Sequence, residues 1–328
     1  MKRIGMVWDA VGNTPLVKLR SLSALTGCNI FGKAEFMNPA GSIKDRAAKG
    51  IIARAEKEGR LQQGGVIVEG TAGNTGIGLV TLAAERGYRV IITMPNNQAE
   101  EKYKMLEALG AEVRAVPPCP FDSPDHFYHL ARRIAEEIPG AIWADQFENT
   151  ANSEAHRETT GPEIWRQLDG NVDVLVAACG TGGTLGGVSS FLKECNPNVH
   201  VVAADPMGSG VFDYVTKGVF TGDGSSVTEG VGIKRLTANL RRAVIDEALR
   251  VSDQEMIDML FHVARFDGLF LGTSSALNLF AAYQMGLRRK GSGTNIVTFL
   301  CDHGSRYASK LLSKTWREEK SLTPRPLN

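Results

Sequence analysis

The sequence lacks the features that would indicate a nucleic-acid-binding or membrane protein. Its 37 lysines and arginines balance 36 aspartates and glutamates, so neither a basic face nor an acidic tail is predicted. No stretch reaches the roughly 18 consecutive apolar residues that a membrane helix needs. The first residues, MKRIGMVWD, show no apolar signal-peptide core. These absences favour a soluble cytoplasmic protein that acts on a small molecule.

Cysteine is also scarce. The five cysteines are odd in number and contain no C-x-x-C pair, so neither a disulfide framework nor a zinc site is predicted. His126 and His129 stand three residues apart on a predicted helix with no third ligand in sequence reach, which indicates surface or packing roles. We therefore expect reduced thiols and no bound metal.

Short β-branched runs alternate with amphipathic helical patterns along the chain. This rhythm is typical of parallel sheets flanked by helices, and 328 residues suffice for two such α/β domains. The glycine-rich segment 206–240 is predicted to be a loop that could act as a lid. The tail after Leu312 shows no clear apolar face and is predicted to fray. The predicted strands are 66–69, 89–94, 112–116, 141–144, 172–178, 200–204 and 295–300.

Lys44 lies just before a predicted amphipathic helix, in the run NPAGSIKDR at 38–46. A helix N-terminus disfavours a cation, so charge complementarity does not explain a lysine there. The alternatives are an ordinary basic residue in the first turn and a lysine whose amine takes part in chemistry.

Two turns join a predicted strand to a helix and carry small polar residues. Residues 69–76 read EGTAGNTG, and residues 179–187 read CGTGGTLGG. Such turns offer backbone N–H groups and hydroxyls to a phosphate or carboxylate. For the first turn the alternative is that Asn74 or Thr75 merely caps the helix. A dinucleotide site fits the second poorly, because G-x-G-G replaces G-x-G-x-x-G, although Asp205 does end the next predicted strand.

A hydroxyl cluster at 270–276, FLGTSSA, leads into another helix, where simple N-capping is the alternative. Taken together, one lysine, two anion-binding turns and a hydroxyl pair are the parts that pyridoxal phosphate needs. They would supply an anchor for the aldehyde, a cradle for the phosphate, a clamp for the substrate carboxylate and a partner for the ring nitrogen.

In these motifs and several others the sequence resembles the cysteine synthase (O-acetylserine sulfhydrylase) family of fold-type II pyridoxal-phosphate enzymes. The resemblance spans nearly the whole chain. It rests on VGNTPLV at 11–17, the lysine motif at 38–46, the turn at 69–76, DQFEN at 145–149, TTGPEIW at 159–165 and the glycine-rich turn at 179–187. The resemblance implies an α/β fold like that of the tryptophan synthase β chain, with two open twisted sheets flanked by helices.

The resemblance also implies roles for individual residues. Lys44 would form a Schiff base with pyridoxal 5′-phosphate, Asn74 would hydrogen-bond the 3′-oxygen of the cofactor, and Ser274 would face the pyridine nitrogen. The cofactor phosphate would be held by Gly180, Thr181, Gly182, Gly183 and Thr184. The substrate α-carboxylate would be bound by Thr71, Ala72, Asn74, Thr75, Gln146 and Gly230.

The implied reaction is β-replacement, in which O-acetyl-L-serine and sulfide give L-cysteine and acetate through an α-aminoacrylate. A β-lyase, β-replacement with another nucleophile and a non-catalytic regulatory homologue are the alternatives. Three departures leave the substrate open. Ala72 replaces the usual serine of the carboxylate turn, as in a GTAGNTG branch of the family. Glu229 and Asp302 place carboxylates near the cleft.

The resemblance further implies a homodimer and a division into two domains. Residues 36–150 would form a smaller domain that carries the substrate carboxylate turn. Residues 1–35 and 151–328 would form a larger domain that carries the phosphate turn and the ring-nitrogen site.

Overall fold

The computed structural model of the protein describes residues 5–71 and 73–327. Ala72, predicted to bind the substrate carboxylate, lies outside the described residues. Within them the chain forms a six-stranded sheet of order β1-β2-β10-β7-β8-β9 and a four-stranded sheet of order β5-β4-β3-β6. The strands are β1 Leu16–Lys18, β2 Asn29–Ala34, β3 Val66–Gly70, β4 Arg89–Pro95, β5 Glu112–Val116, β6 Ala141–Trp143, β7 Val174–Ala178, β8 His200–Pro206, β9 Glu247–Val251 and β10 Asn295–Leu300.

Strand pairing is parallel in both sheets except for β1, which runs antiparallel to β2. The central strands β3 and β7 are mostly apolar and almost every residue is buried, as expected where helices cover both faces of a parallel sheet. The α/β fold with two open sheets flanked by helices is therefore confirmed.

The α-helices in the described residues are α1 Arg20–Thr26, α2 Lys44–Lys57, α3 Asn74–Arg86, α4 Glu100–Ala108, α5 Phe127–Glu137, α6 Ala151–Ala155, α7 Gly161–Gln167, α8 Gly183–Cys195, α9 Val211–Lys217, α10 Asp253–Phe266, α11 Thr273–Arg288 and α12 Lys314–Glu319. No helix among them is long and apolar enough to cross a bilayer. Helix α11 is buried on nearly all sides and packs in the core of the six-stranded sheet.

The four strands of the smaller sheet all fall within 36–150, and the six strands of the larger sheet fall outside it. The domain boundaries themselves stay a prediction. The segment 206–240 contains helix α9 and is otherwise irregular.

The prediction of a frayed tail is wrong. Ser313 caps helix α12 by accepting a hydrogen bond from the Trp316 N–H at 3.2 Å. Trp316 packs against the core of the larger sheet and Leu322 is buried there. Trp316, Leu322 and Leu327 are too widely spaced to form a helical stripe, yet all three pack against this core.

Candidate active site

A cavity of about 700 Å³ opens where strands β3, β7 and β10 end. Ligands bind at the carboxyl ends of strands in open α/β sheets, because the loops that follow parallel strands meet there. Every predicted site residue that the structure describes lines this cavity. They are Lys44, Thr71, Asn74, Thr75, Gln146, Gly180, Thr181, Gly182, Gly183, Thr184, Gly230 and Ser274.

The turn at 180–184, here called the phosphate cradle, is packed so closely that its glycine positions leave no room for a side chain. A Cβ on Gly180 would lie 2.3 Å from the Gly230 carbonyl oxygen, and one on Gly183 would lie 2.0 Å from Asn152 Oδ1. Gly182 has φ +88° and precedes the first residue of the 13-residue helix α8. The Gly182 and Thr184 N–H groups have no acceptor among the described residues. This helix start therefore presents free donors to an anion.

Side chains from distant segments hold this turn in place. Asn152 Nδ2 donates to Thr181 Oγ1 at 2.9 Å, and Thr237 Oγ1 donates to the Thr181 carbonyl at 2.7 Å. His156 Nε2 lies 3.2 Å from Thr184 Oγ1. Burial, with Arg46 and Lys44 nearby, holds the pKa of His156 well below its usual value, so this imidazole is neutral. The residues were not predicted as site residues, because they lie far from the turn in sequence.

Lys44 is the first residue of α2, and its side chain lines the cavity. The charge of Lys44 helps to lower the pKa of His156, whose imidazole contacts Thr184 of the phosphate turn. Beneath this lysine, Arg46 donates to Glu35 at 2.7 Å and to Glu163 at 2.8 Å, with all three side chains buried. This network fixes the start of α2, which carries Lys44.

The turn after β3 does not use its polar side chains as helix caps. Gly73 occupies the cap position of α3 without a side-chain hydrogen bond, which rules out capping by Asn74 or Thr75. Thr75 Oγ1 donates to Gln146 Oε1 at 2.6 Å, and Gln146 Nε2 donates to Glu69 Oε1 at 2.9 Å. Burial and the neighbouring Asp145 raise the pKa of Glu69 to about 8. A protonated Glu69 adds no negative charge beneath a bound carboxylate.

Ser274 lies in the first turn of α11, is buried and lines the cavity. Gly272 occupies the cap position and no side chain caps this helix, so the N-capping alternative is wrong. Asn278, one turn later, accepts from the Ala178 N–H at 2.7 Å and donates to the Phe299 carbonyl at 3.1 Å. It ties α11 to the ends of β7 and β10.

The charges on the cavity wall are mainly positive. Four lysines and one acidic residue line it: Lys44, Lys102, Lys310, Lys320 and Glu229. Glu229 accepts from Lys102 and from Lys310, each at 2.5 Å. Although burial alone would raise it, these two ammonium groups lower the pKa of Glu229. Within the described residues no group of three histidine, cysteine or acidic side chains is placed to hold a metal ion.

These observations fit pyridoxal phosphate. A cradle of free N–H donors at a helix start suits its phosphate, and a lysine amine suits its aldehyde. Ser274 supplies a neutral hydroxyl on the wall, and the excess of lysines suits an anionic cofactor together with a carboxylate substrate.

Comparisons with known proteins agree with this reading of the cavity. The family model described as "Pyridoxal-phosphate dependent enzyme" matches residues 7–302. "Cysteine synthase 1" of Neurospora crassa is 48% identical over 95% of this chain and 84% of its own. "Cysteine synthase" of Dictyostelium discoideum is 46% identical over 96% of this chain and 85% of its own.

Solved structures agree as well. An O-acetylserine dependent cystathionine beta-synthase from Helicobacter pylori superposes with a TM-score of 0.86 at 31% identity, over 94% of this chain and 99% of its own. An O-ureido-L-serine synthase gives a TM-score of 0.86 at 32% identity, over 94% of each chain. The chain therefore belongs to the family of pyridoxal-phosphate dependent enzymes, within its cysteine synthase group.

Proposed function

We propose that this protein is a cysteine synthase, which converts O-acetyl-L-serine and sulfide into L-cysteine and acetate. The observation that carries the proposal is the single cavity in which Lys44, the phosphate cradle and the Thr75–Gln146 pair meet. Relatives called cysteine synthase match nearly the whole chain, which supports the same activity.

When bound, pyridoxal phosphate supplies an aldehyde for covalent attachment and a conjugated ring that stabilises negative charge at the α-carbon of an amino acid. The phosphate would be held by the turn 180–184 through its free N–H groups and the Thr181 and Thr184 hydroxyls. Ser274 would face the ring nitrogen. A neutral hydroxyl does not keep that nitrogen protonated, which limits charge delocalisation into the ring and favours β-elimination over transamination.

The substrate carboxylate would lie against the turn after β3. Thr71, Asn74, Thr75, Gln146 and Gly230 all face the cavity there. Because Thr75 and Gln146 are already hydrogen-bonded to each other, they are held in position before the substrate arrives. A substrate held there would share the cavity with Lys44.

Lys44 would be the catalytic residue. Its Nζ would be the nucleophile that holds the cofactor aldehyde, and as a free amine the same atom would remove the proton from the substrate α-carbon. Acetate then leaves the β-carbon and sulfide adds there, so that the net change is exchange of the acetoxy group for a thiol. Lys44 returns the proton to the α-carbon.

The experiment mixes the holoenzyme with O-acetylserine and sulfide and follows cysteine and acetate by chromatography. Equimolar formation of both supports the proposal. Release of pyruvate, ammonia and sulfide from cysteine, without cysteine synthesis, would instead identify a β-lyase. Turnover only when a thiol amino acid replaces sulfide would identify another nucleophile. No change in the cofactor spectrum with any amino acid would identify a non-catalytic homologue.

We also propose that the protein is a cytoplasmic homodimer. Cysteine usage supports the location and the family resemblance supports the dimer. Light scattering coupled to size-exclusion chromatography should give the mass of two chains, and the mass of one chain would overturn the dimer. A fluorescent fusion expressed in the source cell should distribute through the cytoplasm, and signal confined to an organelle would overturn the location.

A further inference from the structure

The amide of Asn74 is held from both sides by charged groups. Its Nδ2 donates to Asp302 Oδ2 at 2.6 Å, and its Oδ1 accepts from Arg306 Nη1 at 2.6 Å. A carboxylate only accepts hydrogen bonds and a guanidinium only donates them. If the amide were rotated by 180°, its oxygen would face the Asp302 carboxylate and its NH2 group would face the Arg306 guanidinium. The orientation of Asn74 is therefore set by chemistry, and one of its two Nδ2 hydrogens remains free.

Asp302 is itself rigidly held. It is fully buried, and its Oδ2 also accepts from the Tyr307 hydroxyl at 2.5 Å. Its carbonyl accepts from the Gly272 N–H at 3.1 Å. Its other carboxylate oxygen lies against Gly272, where a Cβ would come within 2.1 Å, and has no partner in the described chain. The hydrogen bonds of this carboxylate thus converge on Asn74 and Tyr307.

Arg306 connects the same amide to the loop that precedes Lys44. Its Nη1 bonds Asn74 while its Nη2 donates to the Ala40 carbonyl. The guanidinium fork therefore spans the turn after β3 and the loop before α2, with the arginine side chain buried between them. A cation on Oδ1 also polarises the amide and strengthens its remaining N–H as a donor.

We propose that Asp302 and Arg306 are positioning residues, which aim the free Asn74 N–H at the ring oxygen of the cofactor. The inference rests on the proposed role of Asn74 in the site. Neither residue lines the cavity, so both act through Asn74.

The test measures the absorption spectrum and the dissociation constant of pyridoxal phosphate without any substrate. Asp302→Asn keeps the shape of the side chain but replaces one carboxylate oxygen, which accepts hydrogen bonds, with an NH2 group, which donates them. We expect a shifted absorption band and binding weakened roughly tenfold or more, as for loss of a hydrogen bond to a charged group. Arg306→Lys keeps the charge but loses the fork, and should act in the same direction.

A double-mutant cycle with Asn74→Ala separates positioning from general structural support. In the Asn74→Ala background, Asp302→Asn should change the dissociation constant less than about twofold, because its effect passes through the missing amide. Asp213→Asn, a matched change of a buried carboxylate in α9, should leave band and affinity unchanged. Should Asp302→Asn fail to fold, the same cycle is run with Arg306→Lys.

Equal effects with and without Asn74, or no effect in either background, would overturn the inference. Since no substrate is present, failure of cysteine formation in the activity assay would leave this result standing.

Discussion

At the scale of single residues, Thr75 joins the turn after β3 to Gln146. Its hydroxyl donates a 2.6 Å hydrogen bond to Gln146 Oε1, which orients the glutamine, and both side chains are buried at the cavity wall. The amide of Gln146 is satisfied on its other side by Glu69. A change at Thr75 therefore acts on the proposed carboxylate site without touching Lys44.

Thr75→Val should raise KM for O-acetylserine about tenfold and change kcat less, because one buried hydrogen bond is lost. Steady-state kinetics with saturating sulfide measures both constants. Thr216→Val, an exposed threonine of α9 outside the cavity, is the matched control. An unchanged KM for the amino acid would remove Thr75 from the carboxylate site.

Glu69 makes the stability of the folded protein depend on pH. Its pKa is about 8 in the folded protein, against an ordinary value of 4.5. Between these values folding takes up a proton, so this group makes the protein less stable as pH rises, by at most about 1.4 kcal/mol per pH unit. Above about pH 8 the contribution is constant.

Glu69→Gln removes this titration. The free energy of unfolding of the variant, relative to the wild type, should therefore rise from about pH 5 to about pH 8 and then level off. Urea unfolding at a series of pH values measures it. Parallel profiles for the two proteins would contradict the raised pKa of Glu69.

The glycine turns and Lys44 could be predicted from the sequence, because each stands in a local pattern of residue types that suits binding of an anion or chemistry at an amine. At Asp302 the sequence shows only a departure from the family. Asn74 lies 228 positions from Asp302 in the sequence and 232 positions from Arg306, although it contacts both side chains. No local pattern reports such a pairing.

At the scale of elements, a buried ion network fixes the loop before α2. Glu163 of α7 meets Arg46 at 2.8 Å and Lys33 of β2 at 2.7 Å. Although burial alone would raise it, hydrogen bonds and charge from Arg46 and Lys33 lower the pKa of Glu163 to about 2. Breaking one partner of such a network leaves buried charge uncompensated.

Glu163→Gln should lower the free energy of unfolding by about 3 to 5 kcal/mol, as for other broken buried ion pairs. Chemical denaturation of the holoenzyme measures it. Glu194→Gln, which breaks an exposed pair with Arg157, should cost less than about 1 kcal/mol. Equal losses in the two variants would show that the network adds no stability of its own.

The strands that sequence periodicity predicted are β3 to β8 and β10, all of which pair in parallel; β1, β2 and β9 were not predicted. Strand β1 has only three residues, and β2 contains Gly32 and a fully buried Lys33, so neither matches an apolar or alternating pattern. Tertiary pairing forms these strands where local propensity does not.

At the scale of the whole molecule, three segments meet at the cavity through Glu229. It joins Lys102 of α4, beside the smaller sheet, to Lys310 in the segment after β10. The Lys102 and Glu229 side chains are mostly buried, with exposed fractions of 2% and 11%. This bridge holds the segment 206–240 and the C-terminal segment against α4.

Glu229→Gln should lower the free energy of unfolding by about 2 to 5 kcal/mol, because two lysines lose their shared carboxylate. It should also speed limited proteolysis within 220–232. Glu101→Gln alters a more exposed contact to the same C-terminal segment, at Ser309, and should have little effect on either measurement. Unchanged proteolysis in Glu229→Gln would contradict a bridging role.

Lys44 is one of four lysines on the cavity wall that could carry the cofactor, and we propose that it alone does so. Reduction of the holoenzyme with borohydride, digestion and peptide mass spectrometry identify the attached residue directly. We expect the reduced cofactor on Lys44 alone, and no attachment in Lys44→Ala. Attachment at Lys102, Lys310 or Lys320 in the wild type, or an undiminished adduct in Lys44→Ala, would contradict this proposal.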